Sequence, residues 1–390
     1  MVTGVICEWN PLHKGHQYLL DTVREHGAEI IVCAMSGNFV QRGDFAVVQK
    51  LARAEMAVDC GADLVLELPT PWAMASAETF ARGGVSVLYA AGCDTLAFGS
   101  ECGDPEALRR VSEGLLAPDF MDDVRRELSR GVTSAAARQA ALQSRIGAEA
   151  ALLEAPNNTL AVEYMKVIQT LKVDITPYTV TRLGAAHDGE PAGDYASATY
   201  LRRLIHSGKT EEACALMPPA AAAILRREAE NGRLVDIKNS ETAILSYLRR
   251  LPEEALARYD TGGEGLYHRL YDAVHGTAAW EELLAAAKTK RYPMARLRRM
   301  ALAVYLTLEE PPEEVPYLRV LAANERGRAH LRKLRAAGAP VLTKAADVAA
   351  LGDTAERMLR AEALRTDLYT LAYERPAVPG EEWRITPVMK

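Results

Sequence analysis

The first half of the chain alternates short, continuously apolar runs with longer amphipathic stretches, and this alternation restricts the fold more than any other feature. The apolar runs lie near residues Gly4–Glu8, Glu29–Met35, Asp63–Leu68, Asp94–Phe98 and Pro177–Arg182. Between them stand helical patterns such as HQYLLDTVREH, AVVQKLARAEMAVDC and AETFARGGVSVLYAA. A strand that is apolar along its whole length is covered on both faces, and strands separated by helices run parallel. The expected fold class is α/β, a Rossmann-like, doubly wound parallel sheet whose ligands sit at the carboxyl ends of the strands. A purely helical insertion, about 104–155, is expected to interrupt it.

Beyond YASATYLRRLI the strand signals fade, and helix follows helix with weak breaks at MPPAA, TGGEG and LEEPPEEVP. One short β-like run, APVLT, comes late, and RPAVPGEEWRITPVMK reads as an extended tail. The expected division is a doubly wound α/β domain over 1–205 and a mostly helical domain over 206–390, which 390 residues can accommodate. The formal net charge of −6 excludes a basic coat over the whole surface and leaves room for a local basic face. Cys7, Cys33, Cys60, Cys93, Cys102 and Cys214 are scattered without C-x-x-C spacing, and several lie in apolar runs as small buried hydrophobes, a pattern that suits a reduced cytoplasm and predicts no zinc site. No basic leader and no long apolar window stand in the chain, so neither a signal peptide nor a membrane span is expected.

The stretch VTGVICEWNPLHKGHQYLL concentrates the chemistry. A strand ends at Glu8, Asn10 and Pro11 make a turn, and His13 and His16 flank Gly15 where a helix begins. Free N–H groups at a helix start attract anions, glycine lets a ligand approach the backbone, and two imidazoles three residues apart face one way. The functional reading is a polyphosphate site; the bland one is a pair of surface histidines capping a helix. A metal site lacks a third ligand at sensible spacing, and a nucleophilic role lacks a local orienting partner. YASATYLRRL places Ser197, Thr199 and Arg202 at a second helix start, where hydroxyls and a guanidinium can hold phosphate oxygens. An ordinary Ser/Thr cap beside an exposed arginine is the competing reading.

The first stretch resembles the H-x-G-H signature of the class I nucleotidyltransferase superfamily, whose histidines stabilise charge on phosphates, and the second resembles its S-S/A-T-x-x-R motif. MSGNFVQRGDFAVVQKLARAEMAVDCGADLVLELP, AFGSE, PNNTLAVEYMKVI, TRLGAAHDG and KTKRYPMARLRRM are similar, in order, to blocks of the bacterial tRNA(Met) cytidine acetate ligase family. That resemblance implies a ligase that makes acetyl-adenylate from acetate and ATP with Mg2+ and passes the acetyl group to N4 of the wobble cytidine of elongator tRNA(Met), without acetyl-CoA. It implies His13, His16 and Arg202 as catalytic residues. For ATP it implies Ile6, Asn10, His13, Gly15, His16, Leu19, Gly99, Asn157, Arg182, Ser197 and Thr199. Asn157 also reads as a helix cap, a role Asn158 could equally fill, and Arg182 as a structural ion pair. The loop SGNFVQRGD offers Gln41 and Arg42 to an acetate or cytidine pocket, or is only a rigid turn. The family's usual aromatic and asparagine are here Leu12 and Lys14, and RLGAAHDG is one residue short, which affects His187 and its loop.

For tRNA, KTKRYPMARLRR supplies Lys288, Lys290, Arg291, Arg296, Arg298 and Arg299 without an acidic residue, with Tyr292 placed to stack on an unpaired base. A second cluster holds Arg326, Arg328, Arg332 and Arg335. Solvated helix faces are the competing reading for both. No protein partner is evident. A small-molecule nucleotidyltransferase is the alternative activity, and an RNA-binding protein with a vestigial nucleotide site the non-enzymatic one. The long helical second half counts against the former, the intact motifs against the latter.

Overall fold

The computed structural model describes residues 1–132, 134–182, 195–263 and 265–390. In chain order the strands are β1 (Val2–Cys7), β2 (Ile30–Ser36), β3 (Phe39–Val40), β4 (Asp44–Phe45), β5 (Leu64–Leu68), β6 (Thr95–Ser100), β7 (Thr176–Thr181), β8 (Leu318–Ala323), β9 (Val341–Leu342) and β10 (Val388–Met389). The main sheet runs β10-β8-β5-β2-β1-β6-β7, with β9 paired to β8. Its five strands from β5 to β7 are parallel and correspond to the five apolar runs of the sequence. From β1 the chain winds outward through β2 to β5, then returns to the other side of β1 for β6 and β7. The strand order therefore reverses between β1 and β6, and in such sheets ligands occupy the crevice beyond the carboxyl ends at that point.

The sheet does not end with the first half of the chain. β8 pairs antiparallel with β5 with a register shift between Val65 and Leu66, and β9 and β10 pair parallel with β8. Residue 206 is thus not a boundary of the sheet. LRVLAA was not legible as a strand because a short run buried throughout lacks the period that separates strand from buried helix. The tail expected to be extended carries the short helix Glu381–Arg384 before β10. Its Glu382 is drawn inside by Lys50 (2.6 Å) and Arg319 (3.5 Å). The helical insertion is present as Pro105–Leu116, Phe120–Leu128, Ser134–Ile146 and a 3-10 stretch, Gly147–Glu154. Among the described residues no helix is long and apolar enough to cross a membrane.

Between these parts stands a helical body that includes Glu241–Arg249, Leu266–Gly276, Trp280–Ala287 and Met294–Tyr305, with a core containing Ile244, Leu270, Trp280, Leu297 and Val304. Phe39 and Phe45 of the β3–β4 hairpin insert into the same core. The Tyr369 hydroxyl donates to the Ala46 carbonyl just beyond it (2.8 Å). Gly43, at the hairpin tip, has a φ of +75°, and a Cβ there would collide with the backbone of Arg298 and Arg299. The loop is therefore clamped between sheet and helical body.

Two buried cations lock the carboxyl edge. Arg53 donates to the carbonyls of Val48 (2.8 Å), Glu8 (2.5 Å), Ser36 (3.1 Å) and Gly37, joining the ends of β1 and β2 to the hairpin. Lys50, 1% exposed, contacts both Glu67 (2.7 Å) and Glu382 (2.6 Å), which ties β5 to the C-terminal segment. One ammonium cannot neutralise two carboxylates. Burial pushes Glu67 up to about 7 against the pull of Lys50, while Lys50 and Arg319 outweigh burial at Glu382 and hold it below the usual carboxylate range. Lys50→Met leaves Glu67 buried without its cation and Glu382 with Arg319 alone, and is expected to cost about 3–5 kcal/mol. Urea unfolding measures this, and a loss below about 1 kcal/mol, the value of an exposed pair, would mean the network is not sealed from water.

Candidate active site

His13 and His16 are arranged by the start of the first helix, Lys14–Glu25. His13 is its N-cap: the Gly15 N–H donates to His13 Nδ1 (3.1 Å), and the His13 N–H donates to His16 Nδ1 (3.3 Å), a reciprocal capping box. The rings stack at 3.6 Å between centroids. A Cβ on Gly15 would stand 3.1 Å from His13 Cε1, so this glycine makes room for the folded-back imidazole itself. Each Nδ1 accepts a backbone N–H, which fixes the neutral ring in the tautomer protonated at Nε2. Burial, with the charges of Arg182 and Arg202, lowers His13 to about 3. Burial, with His13 and Arg182, also holds His16 well below its ordinary value. The pair presents two neutral N–H donors.

Both rings line a cavity of about 750 Å³ at the carboxyl edge of the sheet, within the roughly 300–1,000 Å³ typical of small-molecule sites. Ile6, Asn10, Gly15, Leu19, Gly99, Asn157, Arg182, Ser197 and Arg202 line it with them. Asn10 is also part of the frame, its Oδ1 accepting the Val47 N–H (2.8 Å) and its carbonyl the Arg202 guanidinium (2.7 Å). Arg182 donates to Asn157 Oδ1 (3.4 Å) and packs over Gly99. Neither paired asparagine caps its helix, Pro156–Leu171, whose N-cap is Ala155. The Glu101 carboxylate instead accepts the N–H groups of Asn157 (3.2 Å) and Asn158 (2.8 Å), and Asn158 Oδ1 accepts those of Glu101 (2.9 Å) and Cys102 (3.2 Å). Ser197 caps the helix Ala198–His206 by accepting the Tyr200 N–H (3.2 Å), which leaves its hydroxyl proton to donate elsewhere. Thr199 is not on the cavity wall; its hydroxyl accepts from Arg202 (3.2 Å). His187 lies outside the described residues.

The opposite wall comes from the hairpin loop and the helical body: Gln41, Arg42, Pro293, Ala295 and Arg299. Arg299 donates to the Gln41 carbonyl (3.2 Å). The six basic residues of that body therefore divide. Lys288, Lys290 and Arg291 are exposed, Arg296 pairs with Asp260 (3.2 Å), Arg298 with Glu281 (3.3 Å), and Arg299 faces the cavity. Tyr292 is 4% exposed within the helical core, with the Arg291 and Arg296 guanidinium groups over its ring, so it offers no face for base stacking. In the second cluster, Arg326 and Arg328 lie beside Asp63 at the amino end of β5, across the sheet from the cavity. Lys14 does not line the cavity. The residue that sequence reasoning missed is Glu8, whose signal was a lone carboxylate ending an apolar run. Among the described residues no group of three or more His, Cys, Asp or Glu is placed to hold a metal ion.

The HIGH Nucleotidyl Transferase family model matches residues 1–381. A tRNA(Met) cytidine acetate ligase of Caldanaerobacter subterraneus subsp. tengcongensis is 35% identical, over 96% of each chain. One from Alkaliphilus metalliredigens is 34% identical over 99% of this chain and 97% of its own. Crystal structures of Thermotoga maritima TmcAL, apo and bound with alpha-thio ATP, superpose with TM-scores of 0.93 and 0.92 at 31% and 30% identity. Both cover 100% of this chain and 99% of theirs.

The depressed His13 has a signed consequence for stability. The unfolded imidazole titrates at about 6.5, the folded one at about 3. Between these values only the unfolded chain takes up a proton, so stability is full above the upper value and drains as pH falls. His13→Gln is expected to remove about 1.4 kcal/mol per pH unit from that acid slope. Urea unfolding at stepped pH measures it, and an unchanged slope would place the proton on His13 in the folded state.

Proposed function

This chain belongs to the HIGH nucleotidyl transferase family, among the tRNA(Met) cytidine acetate ligases, and from that membership we propose that it condenses acetate with ATP to acetyl-adenylate and then acetylates N4 of the wobble cytidine of elongator tRNA(Met). The observation that carries this reading is the pair of tautomer-locked histidines sharing one cavity with Arg182, Ser197, Arg202 and, from the helical body, Arg299. Donors at the helix start address phosphate oxygens, and the far wall belongs to the element that carries exposed cations.

In this reading ATP would bind as its magnesium complex, and the metal would supply positive charge that offsets the charge of the phosphates. Asn157 and Gly99 face the nucleoside, and Arg182, Ser197 and Arg202 hold the phosphates. An acetate oxygen attacks the α-phosphorus, an O–P bond forms, and pyrophosphate leaves. His13 and His16 donate Nε2–H to oxygens whose charge grows in the transition state, and do so without reorganisation because their other nitrogens are already engaged. Acetate is a weak nucleophile, so holding it in line by Gln41 and Arg42 supplies much of the acceleration. The cytidine then enters from the helical side, leaving its stack to reach the adenylate. A small-molecule acceptor would not call for the exposed Lys288, Lys290 and Arg291 beside the cavity wall. ATP and tRNA as substrates suit a cytoplasmic enzyme.

The reaction is tested by incubating the protein with labelled acetate, ATP, magnesium and total tRNA, then analysing nucleosides. Label in N4-acetylcytidine is expected; label absent with acetate but present with acetyl-CoA and no ATP would refute the ligase. His16→Ala removes one charge-stabilising donor and is expected to slow pyrophosphate release by about 10²–10³-fold. Near-normal turnover would remove His16 from the phosphate site. Lys290→Ala with Arg291→Ala is expected to weaken tRNA binding and flatten its log–log salt dependence by about one unit for each phosphate the protein no longer grips. An unchanged slope would make this a solvated face.

A further inference from the structure

We propose that Glu8 is the proton acceptor of the acyl-transfer step, its unengaged carboxylate oxygen taking a proton from the exocyclic amine of cytidine as that nitrogen attacks the acetyl carbonyl. The assignment rests on the ligase reading and adds to it the base that the second half-reaction needs. The lone pair of an aromatic exocyclic amine is delocalised into its ring, so the nitrogen becomes a competent nucleophile as it sheds a proton. Two imidazoles line the cavity, and neither can accept one, because both Nδ1 atoms are occupied by backbone N–H groups and both Nε2 atoms carry hydrogen.

Among the described residues two carboxylates line the cavity, Glu8 and Glu154, and Glu154 is exposed. Glu8 stands at the carboxyl end of β1, next in sequence to Trp9 and Asn10 and bonded to the hairpin loop. Its Oε1 accepts the Gln41 N–H (2.7 Å), while Oε2 has no hydrogen-bond partner among the described residues. The Arg53 guanidinium grips its carbonyl (2.5 Å), so side chain and backbone are both anchored. It thus joins the histidine end of the cavity to the wall supplied by Gln41, Arg42 and Arg299, where the adenylate and the entering base meet.

The charged and titratable groups around it come from each neighbouring element: Arg42 from the loop, Arg53 from the helix Lys50–Asp59, Arg202 from Ala198–His206 and Tyr164 from Pro156–Leu171. Burial pushes Glu8 above the usual carboxylate range, and the Gln41 N–H, followed by Arg202, Arg42 and Arg53, holds that rise in check. Phosphate on Arg202 removes part of that restraint, which makes Glu8 a stronger base once nucleotide is bound. In the step itself the N–C bond to the acetyl carbon forms and the C–O bond to the phosphate breaks. AMP leaves with the electron pair of that bond, and the amine proton passes to Glu8.

The test separates the two half-reactions in the full-length enzyme. Acetate-dependent pyrophosphate formation reports the first. Single-turnover transfer from adenylate formed on the enzyme to tRNA, followed against pH, reports the second. Wild-type transfer is expected to show an acid limb. Glu8→Gln keeps the acceptor for the Gln41 N–H, and it is expected to slow transfer by about 10²-fold or more and to lose that limb. Its loss of adenylate formation is expected to be at least about tenfold smaller than its loss of transfer. Glu8→Asp, which restores a carboxylate, is expected to restore the limb. Equal losses in both half-reactions, or an acid limb surviving in Glu8→Gln, would overturn the assignment. So would a wild-type transfer rate without an acid limb, which needs no variant at all. A wild type that forms no adenylate overturns the ligase reading first, and the first half-reaction identifies that case.

Discussion

The geometry of the carboxyl edge depends on one buried guanidinium. Arg53 reaches the backbone carbonyls of Glu8, Ser36, Gly37 and Val48 and so ties the ends of the two central strands to the hairpin loop. An arginine serves here because its planar fork satisfies several acceptors at once, which a lysine cannot do with one point charge. Without it, carbonyls freed by the ends of β1 and β2 would be buried unpaired, each at a cost of about 1–3 kcal/mol. Position flows outward from this knot. The Glu8 carbonyl is held, its carboxylate takes the Gln41 N–H, and the Gln41 carbonyl takes Arg299. A chain of four residues thus runs from the centre of the sheet to the helix that bears the cations.

The capping of the first helix by His13 and His16 is compatible with the phosphate reading proposed for them. Capping engages Nδ1 of each ring and leaves Nε2–H for the cavity. Burial beside Arg182 and Arg202 keeps the rings neutral. A donor whose tautomer is fixed before substrate arrives needs no reorganisation when charge develops, which is where electrostatic catalysis gains most. Ser197 follows the same logic, capping with its lone pair and keeping its proton to give. Capping here is how the fold orients its donors.

The inner parallel strands were legible because β1, β2, β5 and β6 are buried nearly throughout and read as apolar runs, whereas β7 lies half-buried at the sheet edge. The histidine and serine motifs were legible because spacing on a helix fixes direction. What escaped was set by tertiary partners. β8 is a short run without period, and Glu382 stands in a tail expected to be extended, where Lys50 and Arg319 enclose it. Tyr292 sat among cations in the sequence and lies in the helical core of the fold. Glu8 went unremarked because one carboxylate has no periodicity; its meaning comes from the loop residue Gln41, thirty-three positions away.

In the ligase reading one preorganised cavity performs adenylation by itself, and the basic helical face and the loop clamped to it serve the later arrival of RNA. Separation of the steps follows from the layout. The nucleotide side is built from β1, β6, β7 and the first helix, whereas the exposed cations belong to the helical body. Exchange of labelled pyrophosphate into ATP, with no tRNA present, tests this most directly. The layout predicts exchange that requires acetate and magnesium and proceeds without RNA. Exchange that begins only when tRNA is added would contradict it.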